Sequence, residues 1–255
     1  MAEPMSRVAV VGDGGDGSVP HARQAVENGG ARLVDSATAD AVVAIGDDVI
    51  RDVIVAEAEA GERMRPVVPV RDGDRSTDVD RVESAVRGLL DGTGRVVPSP
   101  VLTVETGGSI AGRAVFDVTL VTDEPARISE YAVEIAADRR ESFRSDGVTV
   151  ATPFGSEGYA NAAGGPVIAP GAGIAVVPIA PFTTRSDAWV VDGGVRLSVE
   201  RESEAVSLVV DGSRRDVVVP GHSVDVTVST RVDVVLEPAE SSRTPATDRK
   251  GSNNS

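Results

Sequence analysis

The apolar pattern of this chain changes period near Pro98, and that change demands two different kinds of packing. Ahead of it, short valine-rich runs alternate with longer segments of helical spacing. Arg7–Val11, Ala31–Val34, Ala41–Ile45 and Pro66–Val70 read as strands. Ser18–Asn28, Val49–Ala60 and Thr77–Leu90 read as helices, closed by Gly29-Gly30, Gly61 and Gly92. Such alternation predicts an open, mostly parallel sheet covered on both faces. Beyond Pro98 and Pro100 the spacing falls to two, through Val195, Leu197 and Val199, then Val206, Leu208 and Val210, then Val224, Val226 and Val228. Ala126–Ala136 fits a further strand, and Asp192-Gly193 and Asp211-Gly212 read as hairpin turns. The expected fold is an N-terminal α/β domain over residues 1–97 followed by an antiparallel, β-rich domain over 98–237. The apolar-poor segment 238–255 is expected to be a disordered tail.

At 255 residues there is room for one large or two modest cores. With no cysteine, disulfides and thiolate chemistry are excluded. His21 and His222 are the only histidines, too few for an imidazole-built zinc site, and both read as surface residues. No apolar run approaches the roughly 18 residues of a membrane span, and the N-terminus carries no basic-then-apolar leader pattern. A cytoplasmic protein is expected. The formal net charge of −15 disfavours nucleic acid and anionic membranes as partners. Lys250 is the sole lysine against twenty-four arginines, and aspartate is abundant. This balance reads as halophilic adaptation, since screening at molar salt shortens to about 3 Å; the alternative is simply an acidic protein.

The segment between Asp146 and Pro181 says most about function. A strand containing Val148 and Val150 ends at Thr152-Pro153, opens into a glycine-rich crossover, and re-enters a strand at Ile174–Val177. Gly155, Gly158, Gly164 and Gly165 surround Tyr159, one of only two tyrosines. Glycines let backbone amides approach a ligand closely, and an aromatic among them offers a face to a planar group. A tight crossover with Tyr159 merely packed is the other reading.

The same residues resemble the C-terminal signature of the NAD kinase (ATP/polyphosphate-NAD kinase) family. Asp146-Gly147, Thr152-Pro153, Gly155-Ser156, Tyr159, Gly164-Gly165-Pro166 and Pro178-Ile179-Ala180-Pro181 follow the family pattern in register. The resemblance implies a Rossmann-like N-terminal domain and a β-rich domain, with dinucleotide bound between them. It implies phosphorylation of the adenosine-ribose 2′-hydroxyl of NAD to give NADP, with ATP or polyphosphate as donor and Mg²⁺ or another divalent cation as cofactor. Self-association into a homo-oligomer is a further expectation.

The family's GGDGT motif falls on Ile45-Gly46-Asp47-Asp48-Val49. By the resemblance Asp47 is the base that deprotonates the ribose hydroxyl, and Gly46 lies at the donor phosphates. From the residues alone, Asp47 at a strand's carboxyl end is a base, a metal ligand or a helix cap. Asp48 replaces a glycine. A carboxylate about 4 Å from a phosphate charge costs on the order of 4 kcal/mol at an effective dielectric near 20. Asp48 is therefore either a metal ligand that reverses the sign or a mark of lost phosphoryl transfer. The resemblance also assigns Asp117, Asp146, Gly155, Ser156, Tyr159 and Ala162 to the NAD site, and Arg185 to the donor phosphates. Departures from the pattern are Phe116 for asparagine, Phe154 and Glu157 for hydroxyl residues, Gly158 for alanine, Ala162 for serine, Phe182 for histidine and Ser186 for proline.

Two look-alike motifs fail on context. Gly12–Gly17 spells GxGxxG with Asp35 downstream, but Asp13 and Asp16 would sit where a pyrophosphate must bind, so it reads as an acidic turn. Asp91-Gly92-Thr93 follows a helix and reads as its stop. The competing function is a catalytically impaired NAD(P)- or nucleotide-binding regulatory module. A small-molecule or lipid kinase is the third reading.

Overall fold

In the computed structural model, residues 6–12, 17–71, 79–123, 128–135, 139–183, 187–201 and 205–236 are described. Asp13 to Asp16, Arg185 and the tail at 238–255 lie outside them. The valine-rich runs form strands β1 (Arg7–Gly12), β2 (Arg32–Leu33), β3 (Ala41–Ile45) and β4 (Val67–Val70), paired in parallel in the order β2-β1-β3-β4. Helices α1 (Ser18–Asn28) and α3 (Val79–Asp91) pack Ala22, Val26, Val86 and Leu89 against Val8, Val43 and Val68 on one face. On the other, α2 (Asp47–Ala60) buries Ile50 and Ile54 against Ala44, Val67 and Val234. The sheet is covered on both sides, as the alternation requires. Helix α2 starts two residues earlier than expected: Gly46, at φ 92°, turns the chain directly from β3 into the helix. Asp47 and Asp48 thus occupy its first turn, where the helix dipole favours negative charge.

The second half supplies β5 (Arg95–Thr106), β6 (Ser109–Ala114), β7 (Asp117–Thr122), β8 (Ser129–Ile135), β9 (Arg139–Ser145), β10 (Gly147–Ala151), the single-turn helix α4 (Tyr159–Ala162), β11 (Ile174–Ile179), β12 (Trp189–Val191), β13 (Gly194–Arg201), β14 (Val206–Val210), β15 (Ser213–Val218) and β16 (Ser223–Leu236). A six-stranded sheet, β12-β11-β10-β7-β14-β15, faces the strands β5, β6, β8, β13 and β16. Their inward residues, among them Leu102, Leu120, Tyr131, Val150, Leu197, Leu208 and Val226, form one buried core. Period-two alternation is the signature of such a two-sheet packing.

Two local features follow from the strand pairing. Pro98 and Pro100 stand inside β5, opposite Asp233 and Arg231 of β16. Strand β6 covers β5 only from Leu102 onward, so the prolines lie in a stretch that β6 leaves unpaired on one side, the kind of position where a strand tolerates proline. Asp192-Gly193 is not a hairpin: β12 pairs with β11 and β13 with β16 and β8, so this turn carries the chain from one sheet to the other. Asp211-Gly212 does close the β14–β15 hairpin. The parallel and antiparallel parts share one sheet, because β16 runs beside β5 along nearly its whole length and touches β4 at Val234 opposite Val67.

Candidate active site

Parallel pairing of β3 with β4 sets Ile45 opposite Val70, so the residues following each strand emerge side by side. The Gly46 amide closes the end of the pair by donating to the Val70 carbonyl at 2.8 Å. Asp47 and Arg71 then meet in a two-pronged ion pair, Nε to Oδ1 and Nη2 to Oδ2, each 3.0 Å. The carboxyl ends of parallel strands are where ligands sit in open α/β sheets.

Arg71 reaches further. Its Nη1 donates to the Phe154 carbonyl at 3.1 Å, its guanidinium lies 5.3 Å from the Phe116 ring centre, and Nη1 is 4.0 Å from the Glu157 carboxylate. Phe116 and Phe154 themselves meet edge to face at 6.3 Å. Asp47 is thereby joined, through one side chain, to the glycine-rich crossover. A cavity of about 200 Å³ opens beside Arg71, walled by Pro153, Phe154 and Ile168 from the crossover and by Val97 and Val234 from β5 and β16.

The crossover is held by its own hydroxyls. Thr152 donates from Oγ1 to the Val115 carbonyl at 2.5 Å and from its amide to the Phe116 carbonyl at 2.9 Å. Ser156, fully buried, donates to the Pro153 carbonyl at 2.8 Å and accepts the Ile168 amide at 3.1 Å. The Ser156 hydroxyl is therefore occupied in shaping the loop. Gly155 lies so flat on the Val115–Phe116 segment that a Cβ there would be 2.1 Å from the Phe116 carbonyl oxygen. Tyr159 opens α4 with its side chain 46% exposed, free of core packing, and Ala162 closes the same turn at the surface.

Asp117 begins β7, opposite Ala151 where β10 runs into the crossover. Burial, and next the neighbouring Asp211 charge, push its carboxyl up to about 6. Asp211 sits in the β14–β15 turn and accepts the amides of Val115, Phe116 and Asp117 at 2.8–2.9 Å. Asp146 stands apart: it precedes the other end of β10, six residues and about 20 Å of extended strand from Thr152. There its backbone bonds Ile179 and Thr122. Asp48 points away, 88% exposed, and pairs with Arg51 at 2.7 Å. Among the described residues no group of three or more His, Asp or Glu side chains is arranged to hold a metal.

Sequence reasoning missed Arg71 and Asp211. The first was findable, since it directly follows a parallel strand adjacent to the one that ends at Asp47. The second was not, because a hairpin aspartate carries no mark of the distant amides it collects.

Residues 116–237 match the family model described as the ATP-NAD kinase C-terminal domain. The NAD kinase of Thermoplasma acidophilum is 29% identical over 205 residues, 77% of this chain and 73% of its own length. That of Methanoregula boonei is 30% identical over 190 residues, 72% of this chain and 69% of its own length. The chain belongs to the NAD kinase family. Two solved structures share the NAD kinase fold with it. Yeast NADH kinase complexed with NADH superposes with a TM-score of 0.69 at 16% identity, covering 92% of this chain and 84% of that one. An NAD kinase from Archaeoglobus fulgidus in complex with ATP gives 0.65 at 20% identity, covering 91% and 94%. The family match begins at Phe116, so the crossover, Asp117 and Asp211 fall within it, while Asp47 and Arg71 come from the α/β half.

Proposed function

We propose that this chain is an NAD kinase that transfers the terminal phosphoryl group of ATP to the adenosine-ribose 2′-hydroxyl of NAD, giving NADP and ADP. The observation that carries this reading is the placement of Asp47. It lies at the carboxyl end of β3, tied through Arg71 to the glycine-rich crossover that bears Tyr159. With the dinucleotide between these elements, Asp47 accepts the proton of the 2′-hydroxyl as that oxygen attacks the terminal phosphorus. The bridging P–O bond breaks, and ADP leaves with its electron pair. Transfers of this type depend on positioning and charge neutralisation more than on covalent chemistry by the protein.

Within this reading Asp117, Gly155, Ser156, Tyr159 and Ala162 shape the NAD side of the cleft. Tyr159 offers an exposed ring, and Ser156 and Gly155 hold the loop in form. Asp47 is paired with Arg71 and Asp48 with Arg51. Magnesium enters this scheme as part of the Mg–ATP substrate.

The test is NADP production by the pure protein from NAD, ATP and Mg²⁺ in molar KCl, repeated with polyphosphate as donor and with Asp47→Asn. Loss of a positioned general base predicts a fall in kcat of about 10²–10⁴-fold. Nucleotide binding without NADP formation from either donor would instead establish the regulatory, non-catalytic reading.

A further inference from the structure

Three residues that depart from the family pattern, Phe116, Phe154 and Glu157, converge on one guanidinium. Phe116 presents its ring to Arg71 at 5.3 Å, Phe154 its carbonyl at 3.1 Å, and Glu157 its carboxylate at 4.0 Å. Arg71 is also the one cation among the described residues lining the cavity beneath the crossover. Its fork is divided in a particular way. Nη1 holds the loop carbonyl, while Nε and Nη2 both donate to Asp47. The Nε–Nη2 edge is the one with which arginine takes a phosphate in two parallel hydrogen bonds.

We infer that Arg71 is a phosphate-binding residue whose phosphate edge is covered by Asp47 in the free protein, and that an incoming nucleotide phosphate displaces the Asp47 carboxylate from it. This rests on the kinase reading and adds to it a residue and an order of events. The exchange is geometrically conservative, because a carboxylate and a phosphate offer the same pair of oxygens to the same two N–H groups. It leaves Arg71 in place, since the Phe154 carbonyl and the Phe116 ring hold the guanidinium without help from Asp47. It is easy, because the Asp47 side chain is about half exposed and a solvent-facing ion pair is weakly held. It has a catalytic consequence: phosphate arrival frees Asp47 for the ribose hydroxyl. And it supplies a positive charge to a site whose phosphate loop has lost glycines and gained Asp48.

The experiment is titration calorimetry, without Mg²⁺, of the whole chain and its Asp47→Asn, Arg71→Ala and Arg71→Lys forms. Each is titrated with NAD, ATP and inorganic tripolyphosphate in parallel, after thermal unfolding has confirmed that each variant is folded. Uncovering the edge in Asp47→Asn is expected to tighten binding of at least one of these phosphates three- to tenfold. Arg71→Ala is expected to weaken that same ligand at least tenfold, with Arg71→Lys recovering only part because it cannot offer two parallel donors. Selective effects on ATP and tripolyphosphate assign Arg71 to the donor; effects on NAD assign it to the dinucleotide pyrophosphate. Weaker or unchanged binding in Asp47→Asn, unchanged binding in Arg71→Ala, or no binding by any form would each overturn the inference. If binding follows the expected order but the unaltered chain makes no NADP, the exchange stands and the kinase reading falls.

Discussion

Asp211 and Asp117 bind each other twice through the backbone: the Asp117 amide donates to the Asp211 carboxylate and the Asp211 amide to the Asp117 carbonyl, both at 2.9 Å. The Asp211 carboxylate takes the neighbouring amides of Val115 and Phe116 as well. This holds in place the segment on which Gly155 and Thr152 rest, and it sets two carboxyl groups close together in a buried corner.

That proximity makes stability depend on pH. The folded Asp117 carboxyl has its pKa near 6, raised by burial and then by Asp211, whereas an unfolded aspartate titrates near about 3.9. Between those values the folded state keeps a proton that the unfolded state has released. Stability therefore falls as pH rises from about 4 to about 6, by roughly 2–3 kcal/mol in all, and stays reduced above. Asp117→Asn is expected to raise the melting temperature at pH 7–8 and to give no gain near pH 3.5–4, while raising the KM for NAD. Unfolding curves across that range, with NAD kinetics at pH 7.5, check both halves.

Gly155→Ala is expected to be far more damaging than its size suggests. The added methyl would lie 2.1 Å from the Phe116 carbonyl oxygen and 2.5 Å from its carbon, both main-chain atoms fixed by other bonds. The crossover must lift away, breaking the Thr152 and Ser156 hydrogen bonds, at a cost of about 3 kcal/mol or more. Urea unfolding should show this, together with at least tenfold weaker NAD binding. Gly158→Ala, whose methyl would meet only the Gly155 carbonyl at 3.4 Å, should be mild in both measurements.

Asp48→Asn tests the metal directly. Because Asp48 turns outward to Arg51, the half-saturating Mg²⁺ concentration should move less than about twofold, and stability should change by under about 1 kcal/mol. A tenfold rise in the Mg²⁺ requirement would return Asp48 to the cation.

Much of the fold was legible because its periodicities are clean. Ser18–Asn28 and Ala41–Ile45 occupy the limits that their glycines and valines set. The passage of β5 through Pro98 was not legible, because the tolerance of a proline inside a strand depends on which side of the strand has a neighbour, a tertiary fact. Asp192-Gly193 misled for a related reason: a tight turn specifies a reversal of the chain, not the sheet that it enters. Within the site, Asp47 and the crossover stood out by pattern. The roles of Phe116 and Phe154 did not, since two aromatics far apart in sequence reveal a seat for an arginine only when β4, β7 and the crossover come together.

The lateral neighbour of β4 is β16, the last strand among the described residues, and β16 lies beside β5 for almost its full extent. During synthesis the parallel sheet therefore keeps an unprotected border until residues 223–236 have left the ribosome. The first ninety residues emerge as an unfinished body rather than an autonomous one, and severing the chain near its midpoint would leave a sticky flank instead of a free-standing lobe.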